Sequence, residues 1–354
     1  VNLLRPSLTC AAVFVAAAMF FCGSVPNIAR AAGVPAAEWD AYKAKFLDGN
    51  GRIIDNGNGN ISHSEGQGYG LILAYLANDP ADFEKIWSFT RTELLLRDDG
   101  LAVWKWDPDA KPHVIDTNNA SDGDLLIAYG LALGGAAWNR SDYTSAARII
   151  ARSLLKNAVI DHAGRTVLLP GIEGFGAGDR EDGPIVNPSY WVYEALPIMN
   201  MLAPSDRWQK LADDGQLLLR AMRFGPRHLP ADWVSLARQP KPAEGFAPEY
   251  GYNAVRVPLY LVRAGITDRA LLTWLADATT VSPGATGTFD VVTGDVKETL
   301  SDPGYRLVHQ LTACVVDGKK LADDVRRFEP VLYYPSTLHL LGMAFIAEKH
   351  PECL

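Results

Sequence analysis

Residues that bind metals are few and scattered in this 354-residue chain. It has seven histidines and four cysteines, with no His-Glu-x-x-His or Cys-x-x-Cys pair, so no zinc site is expected. No motif asks for a metal or a cofactor. Positive charge is also in deficit, at 33 Lys and Arg against 41 Asp and Glu. That balance speaks against nucleic acid or an anionic membrane surface as a partner and favours a neutral substrate. Linkers, low-complexity stretches and strict repeats are missing, so residues 32–354 are expected to form a single domain.

Long apolar runs are missing as well, except LTCAAVFVAAAMFFCG near the start. At about 16 residues it falls short of the ~20 that span a bilayer. Arg5 precedes it and Ala29-Arg30-Ala31 follows, the pattern of a signal peptide over residues 1–31. Bulky Met19, Phe20 and Phe21 ahead of Cys22 argue against lipoprotein processing. The mature chain is therefore expected in the periplasm or secreted, with no membrane attachment after cleavage. Removal of Arg5 and Arg30, with no acid lost, takes the net charge from −8 to −10. Cys314 and Cys353 then remain; they can pair in an oxidising compartment, but two cysteines make no framework.

What is present is helical pattern. Amphipathic segments ending in Gly, Pro or Asx turns fall at 36–47, 67–77, 81–96, 122–138, 142–156, 188–202, 206–224, 253–264, 268–278, 304–313 and 335–349. Phe83, Ile86, Trp87, Thr90 and Leu94 share one helical face, whereas DGDLLIAYGLALGGAAW is apolar nearly all round, as a fully buried helix should be. Residues 101–106, 166–171 and 286–294 look extended and too brief for a large sheet. The expectation is an all-α toroid of inner apolar and outer amphipathic helices, with short β-hairpins in its loops.

Residues 61–70, ISHSEGQGYG, place Glu65 among three glycines where a turn-rich loop becomes a helix. Ser62 and Glu65 have capping-box spacing, in which each would satisfy a free N–H of the helix start. Capping leaves the glycines unexplained, because glycine in a helix interior costs roughly 1 kcal/mol and is kept where something approaches the backbone. The oxygen-rich run from Asp55 to Asn60 is a poor calcium loop, since glycines occupy alternate ligand positions. A second acidic cluster, Asp122-Gly123-Asp124, opens the apolar helix. One aspartate suffices for a cap; the other needs an arginine or a substrate hydroxyl. Two carboxyls across a groove are the minimum for glycoside hydrolysis, one donating a proton and one remaining ionised. Trp104, Trp106, Tyr190, Trp191, Trp233, Tyr250 and Tyr252 interleave with acids and amides, as a sugar-stacking groove requires, although large aromatics also fill cores.

SEGQGYG followed by ASDGD-x-x-IA resembles glycoside hydrolase family 8, nearest to the periplasmic endoglucanases of bacterial cellulose-synthesis operons and to rhizobial cellulases. LLPG, NPSYW, ADWV and YNAVRVPLYL extend the resemblance over most of residues 32–354. The resemblance implies an (α/α)6 barrel and metal-free, inverting hydrolysis of a β-1,4-glucan, with the cellulose-synthesis machinery as an associated partner. It also implies Glu65 as general acid and Asp122 as an active-site aspartate. Tyr69, Trp104, Asp124, Tyr190 and Arg256 fall at expected substrate-binding or scaffolding positions. Where many relatives carry the aspartate base, this chain has Asn253, which leaves Asp122, Glu249 or Glu244 as candidates for the base. Two other readings stay open: a glucan-binding factor without turnover, and a chitosanase or xylanase on the same fold.

Overall fold

The computed structural model describes residues 33–354; the expected signal peptide, residues 1–31, lies outside them. Twelve α-helices are present among the described residues: α1 (Ala36–Phe46), α2 (Ser64–Leu76), α3 (Pro80–Phe89), α4 (Ser121–Ala137), α5 (Ser141–Asn157), α6 (Leu196–Leu202), α7 (Arg207–Ala221), α8 (Val257–Arg263), α9 (Arg269–Thr279), α10 (Pro303–Asp317), α11 (Asp323–Arg326) and α12 (Tyr333–Lys349). Contacts run from α2 to α4 and α6, from α6 through the 3-10 turn Tyr193–Ala195 to α8, and on to α10 and α12, which closes the ring against α2. The odd-numbered helices pack outside this ring. The architecture is an (α/α)6 barrel.

The inside–outside division follows sequence pattern. α2, α4 and α12 are buried on almost every side and are mostly apolar or small in residue type. α3, α5, α7 and α9 bury one stripe each, and on α3 this is Phe83, Ile86 and Trp87. Burying each such side chain contributes about 1.5–3 kcal/mol. Thr90 and Leu94 are buried with them, but the chain there is a π-helical turn, Thr90–Leu94.

Two expected helices differ in detail, and one short helix was not expected. Residues 188–202 break into two 3-10 turns before α6, and 253–264 into one before α8. Pro197 and Pro258 explain the breaks, since proline has no N–H to give and sits best in a first helical turn. α11, one turn long, is too short to show a period. The extended segments are antiparallel pairs, including Val159–His162 with Arg165–Leu168 and Ala285–Asp290 with Val296–Leu300. Ser62–His63 pairs with Lys105–Trp106, which ties the loop before α2 to the loop before α4. Cys314 and Cys353 form a disulfide that fastens the C-terminal turn to α10.

Candidate active site

The site begins where α2 and α4 start side by side. The capping box does not form. Instead His63 caps α2, its Nδ1 accepting from Gly66 N at 2.9 Å, while Ser62 Oγ donates to Ile53 O. Glu65 is thereby released from capping. The glycines serve helix contact: a Cβ on Gly68 would lie 2.5 Å from Leu126 Cβ, and one on Gly123 would lie 2.1 Å from Ser64 Oγ. Only glycine at these points lets the helix starts approach closely enough to place Glu65 beside Asp122.

Arg256, in the 3-10 turn Ala254–Arg256, joins the two acids. Its Nη1 donates to Glu65 Oε2, and its Nη2 donates to Asp122 Oδ2 at 2.6 Å and to Ser189 Oγ at 3.1 Å. The guanidinium is 1% exposed and flanked by the rings of Tyr190 and Tyr260, 5.8 and 5.7 Å from its centre. A buried cation of this kind persists only when paired, and here two carboxylates share it. Burial pushes the Asp122 carboxyl up to about 6, against the pull of Arg256 and with Glu65 adding to the rise. For His63, burial favours the neutral ring, but Asp55, Glu65 and Asp122 outweigh it and raise the imidazole above its ordinary value.

These groups line a groove of about 520 Å³. Glu65, Asp122, Asn253 and Arg256 lie in it with Trp104, Tyr190, Trp233, Tyr252 and Tyr305 along the walls. Trp233 is held between Phe175 and Phe246, with ring centroids 5.7 and 4.7 Å away, and Trp104 is oriented by its Nε1 bond of 2.8 Å to Asp116. The volume and mixed lining suit a small chain of polar rings with apolar faces.

Four expected site residues lie elsewhere. Tyr69 is buried beneath the groove and hydrogen-bonded to Tyr260, so it supports the site without lining it. Asp124 is fully buried, accepting from Ala102 N at 2.8 Å and Asn119 Nδ2 at 2.9 Å; it is the structural member of its pair, and burial pushes it up to about 7. Glu244 is paired with Lys241 at 2.7 Å, and Glu249 with Lys297; neither lines the groove. Among the described residues no three His, Cys, Asp or Glu side chains converge to hold a metal ion.

Other residues enter that sequence reasoning did not single out. Asp55 lines the groove, with Oδ2 3.3 Å from His63 Nε2 and Oδ1 accepting from Gly57 N. Tyr333, whose buried hydroxyl has no hydrogen-bond partner among the described residues, and Tyr334 line it from the start of α12. Asp232, from the ADWV segment, is 3% exposed and sits directly behind Asn253: its Oδ1 accepts from Gly251 N (2.9 Å) and Ala254 N (3.0 Å), and its Oδ2 from Asn253 Nδ2 (3.2 Å). The acid next to Trp233 was the available signal for it.

A family model described as "Glycosyl hydrolases family 8" matches residues 13–348. The probable endoglucanase of Novacetimonas hansenii is 36% identical over 322 residues, covering 89% of this chain and 91% of that one. The endoglucanase of Cellulomonas uda is 40% identical over 240 residues, 67% of this chain, which spans 66% of that protein's length. The solved structure of an endoglucanase from Komagataeibacter sucrofermentans matches with a TM-score of 0.79 at 36% identity, over 89% of this chain and 98% of that one.

Proposed function

The chain belongs to family 8 of the glycosyl hydrolases, and from that membership we propose that it is an endo-β-1,4-glucanase whose groove binds an internal stretch of glucan. Glu65 hands a proton to the bridging oxygen as the bond to the anomeric carbon breaks. Water attacks the opposite face, so the anomeric configuration inverts. Asp122, fixed by Arg256, faces the sugar at the cleavage point and stabilises positive charge developing on its ring. Trp104, Tyr190 and Trp233 offer faces on which pyranose rings stack.

The observation that carries this reading is the position of Glu65. It lies in the groove with one oxygen on Arg256 and Oε1 free of any hydrogen bond among the described residues. A free carboxyl oxygen facing aromatic walls is what protonation of a glycosidic oxygen needs. The same reading includes export of the mature chain, supported by the pattern of residues 1–31, and action on nascent glucan beside the cellulose-synthesis machinery.

Reducing-end release from carboxymethylcellulose tests it. Wild type should turn over, and Glu65→Gln should lose ~10²–10⁴-fold or more of kcat with an unchanged circular dichroism spectrum. Full activity in Glu65→Gln sinks the acid assignment; binding without turnover in wild type makes the protein a glucan-binding factor. Chitosan and xylan in the same assay identify a different sugar, and NMR of the first-formed anomer reads inversion.

A further inference from the structure

We propose that Asn253 and Asp232 together accept the proton of the attacking water: Asn253 Oδ1 holds that water in the groove, and Asp232 takes up the proton through the amide. This rests on the hydrolytic reading above and supplies the acceptor it lacks. The groove-lining carboxylates besides Glu65 are Asp55 and Asp122. Both are engaged on each oxygen, Asp55 by Gly57 N and His63 Nε2, Asp122 by Gly123 N and Arg256 Nη2. Asn253 is the groove residue with a free acceptor beside a further carboxylate. It lies three positions before Arg256 in one helical turn, so it shares a face with the residue that grips Glu65.

The amide orientation is set by its neighbour. Asp232 Oδ2 can only accept from Asn253 if the NH₂ points to it, at 3.2 Å, which turns Oδ1 outward. That Oδ1 makes no hydrogen bond among the described residues, and Asn253 lines the groove. Asp232 is 3% exposed, and its other oxygen is filled by Gly251 N and Ala254 N, so Oδ2 is the oxygen through which it communicates.

The step balances. Water oxygen bonds the anomeric carbon as the glycosidic bond breaks and Glu65 protonates the leaving oxygen. The water proton passes to Asn253 Oδ1 while an Nδ2 proton passes to Asp232 Oδ2, leaving an imidic acid beside a neutral carboxylic acid. After product release the reverse shift returns the amide and gives one proton to solvent, and Glu65 takes one back from solvent. A neutral amide is too weak a base to act alone; the carboxylate behind it makes it competent. Burial pushes Asp232 up to about 6, which suits proton uptake near neutrality. The charged and titratable groups facing it are Glu249, Lys297, Tyr190 and Tyr250.

The test is a residue exchange. On carboxymethylcellulose, Asp232→Asn should lower kcat by ~10²–10⁴-fold, keep KM within a few-fold, and lack the acidic limb near pH 6 that wild type is expected to show. The double variant Asp232→Asn/Asn253→Asp puts the carboxylate in the groove and keeps the hydrogen bond with its direction reversed, so it should recover much of that loss. Wild-type kcat and pH profile in Asp232→Asn would overturn the proposal. So would a folded, cello-oligosaccharide-binding double variant as inactive as Asp232→Asn, because Asp232 would then only brace the turn. If Asp232→Asn does not fold, Asn253→Ala decides: azide, a nucleophile that needs no base, should restore cleavage and form a glycosyl azide, and an azide-insensitive loss would overturn the relay. Failure of wild type to cleave any β-1,4-glucan, or full activity in Glu65→Gln, would instead strike the hydrolytic reading.

Discussion

Gly123 of α4 sits so close to Ser64 of α2 that a Cβ on the glycine would come within 2.1 Å of the serine Oγ and 2.7 Å of Glu65 N. The two helix starts therefore touch through backbone at the residues that carry Glu65 and Asp122. Helix contact and site geometry are one feature here.

Gly123→Ala should force the helix starts apart. A stability loss of about 1–3 kcal/mol is expected from overpacking, read as a lower urea midpoint. Turnover should fall more steeply than binding, because Glu65 and Asp122 move relative to one guanidinium. A variant with wild-type midpoint and kcat would show that the contact relaxes without moving the acids.

Arg256→Met should strip the shared cation from two carboxylates. Removing one partner of a buried pair costs about 3–5 kcal/mol. The sign of its pH dependence follows from Asp122, whose folded carboxyl already titrates at about 6, above its ordinary 3.8. Below that range Asp122 is protonated and needs no partner; above it the unpartnered charge must be buried. The deficit against wild type should thus be larger at pH 8 than at pH 5. An equal deficit at both would mean that Asp122 does not depend on Arg256.

Asp124→Asn isolates the inward-facing member of the acidic pair. Its folded carboxyl is pushed to about 7 by burial, so the stability it contributes is present below about pH 4 and lost as pH rises through 7. The amide variant cannot ionise. Wild type should lose stability relative to Asp124→Asn between pH 4.5 and pH 8 in urea titrations, and parallel curves would contradict the burial argument.

Trp104→Ala removes a groove wall while sparing the acids. A loss on the order of 1 kcal/mol of sugar stacking corresponds to roughly a five-fold rise in KM for cello-oligosaccharides, with kcat little changed. A fall in kcat with unchanged KM would instead make Trp104 a residue that acts at the bond being cleaved.

Much of the helix pattern was legible because periodicity is local. The stripe of α3 and the all-round apolarity of α4 predict an outer and an inner helix, and both are found so. Partner strands were harder to see. Val296–Leu300 has residues 296–299 exposed, and its VKETL carries no burial pattern to betray a strand. The capping box misled because His63, one position later, offers a ring nitrogen at the right distance and wins the cap.

The amino-acid order by itself determined where helices run, which are buried all round, and that a lone glutamate stands at a glycine-rich helix start. Those properties depend on neighbours a few residues apart. Tertiary structure alone decided which acid does what. Asp122 and Asp124, two positions apart on α4, point to different sides, and only the packing of that helix turns one to the groove and the other to the core. Asp232 and Asn253 meet across 21 residues, while Glu244 and Glu249 are drawn off by lysines outside the groove. Ring closure makes those pairings, and no short stretch of sequence encodes it.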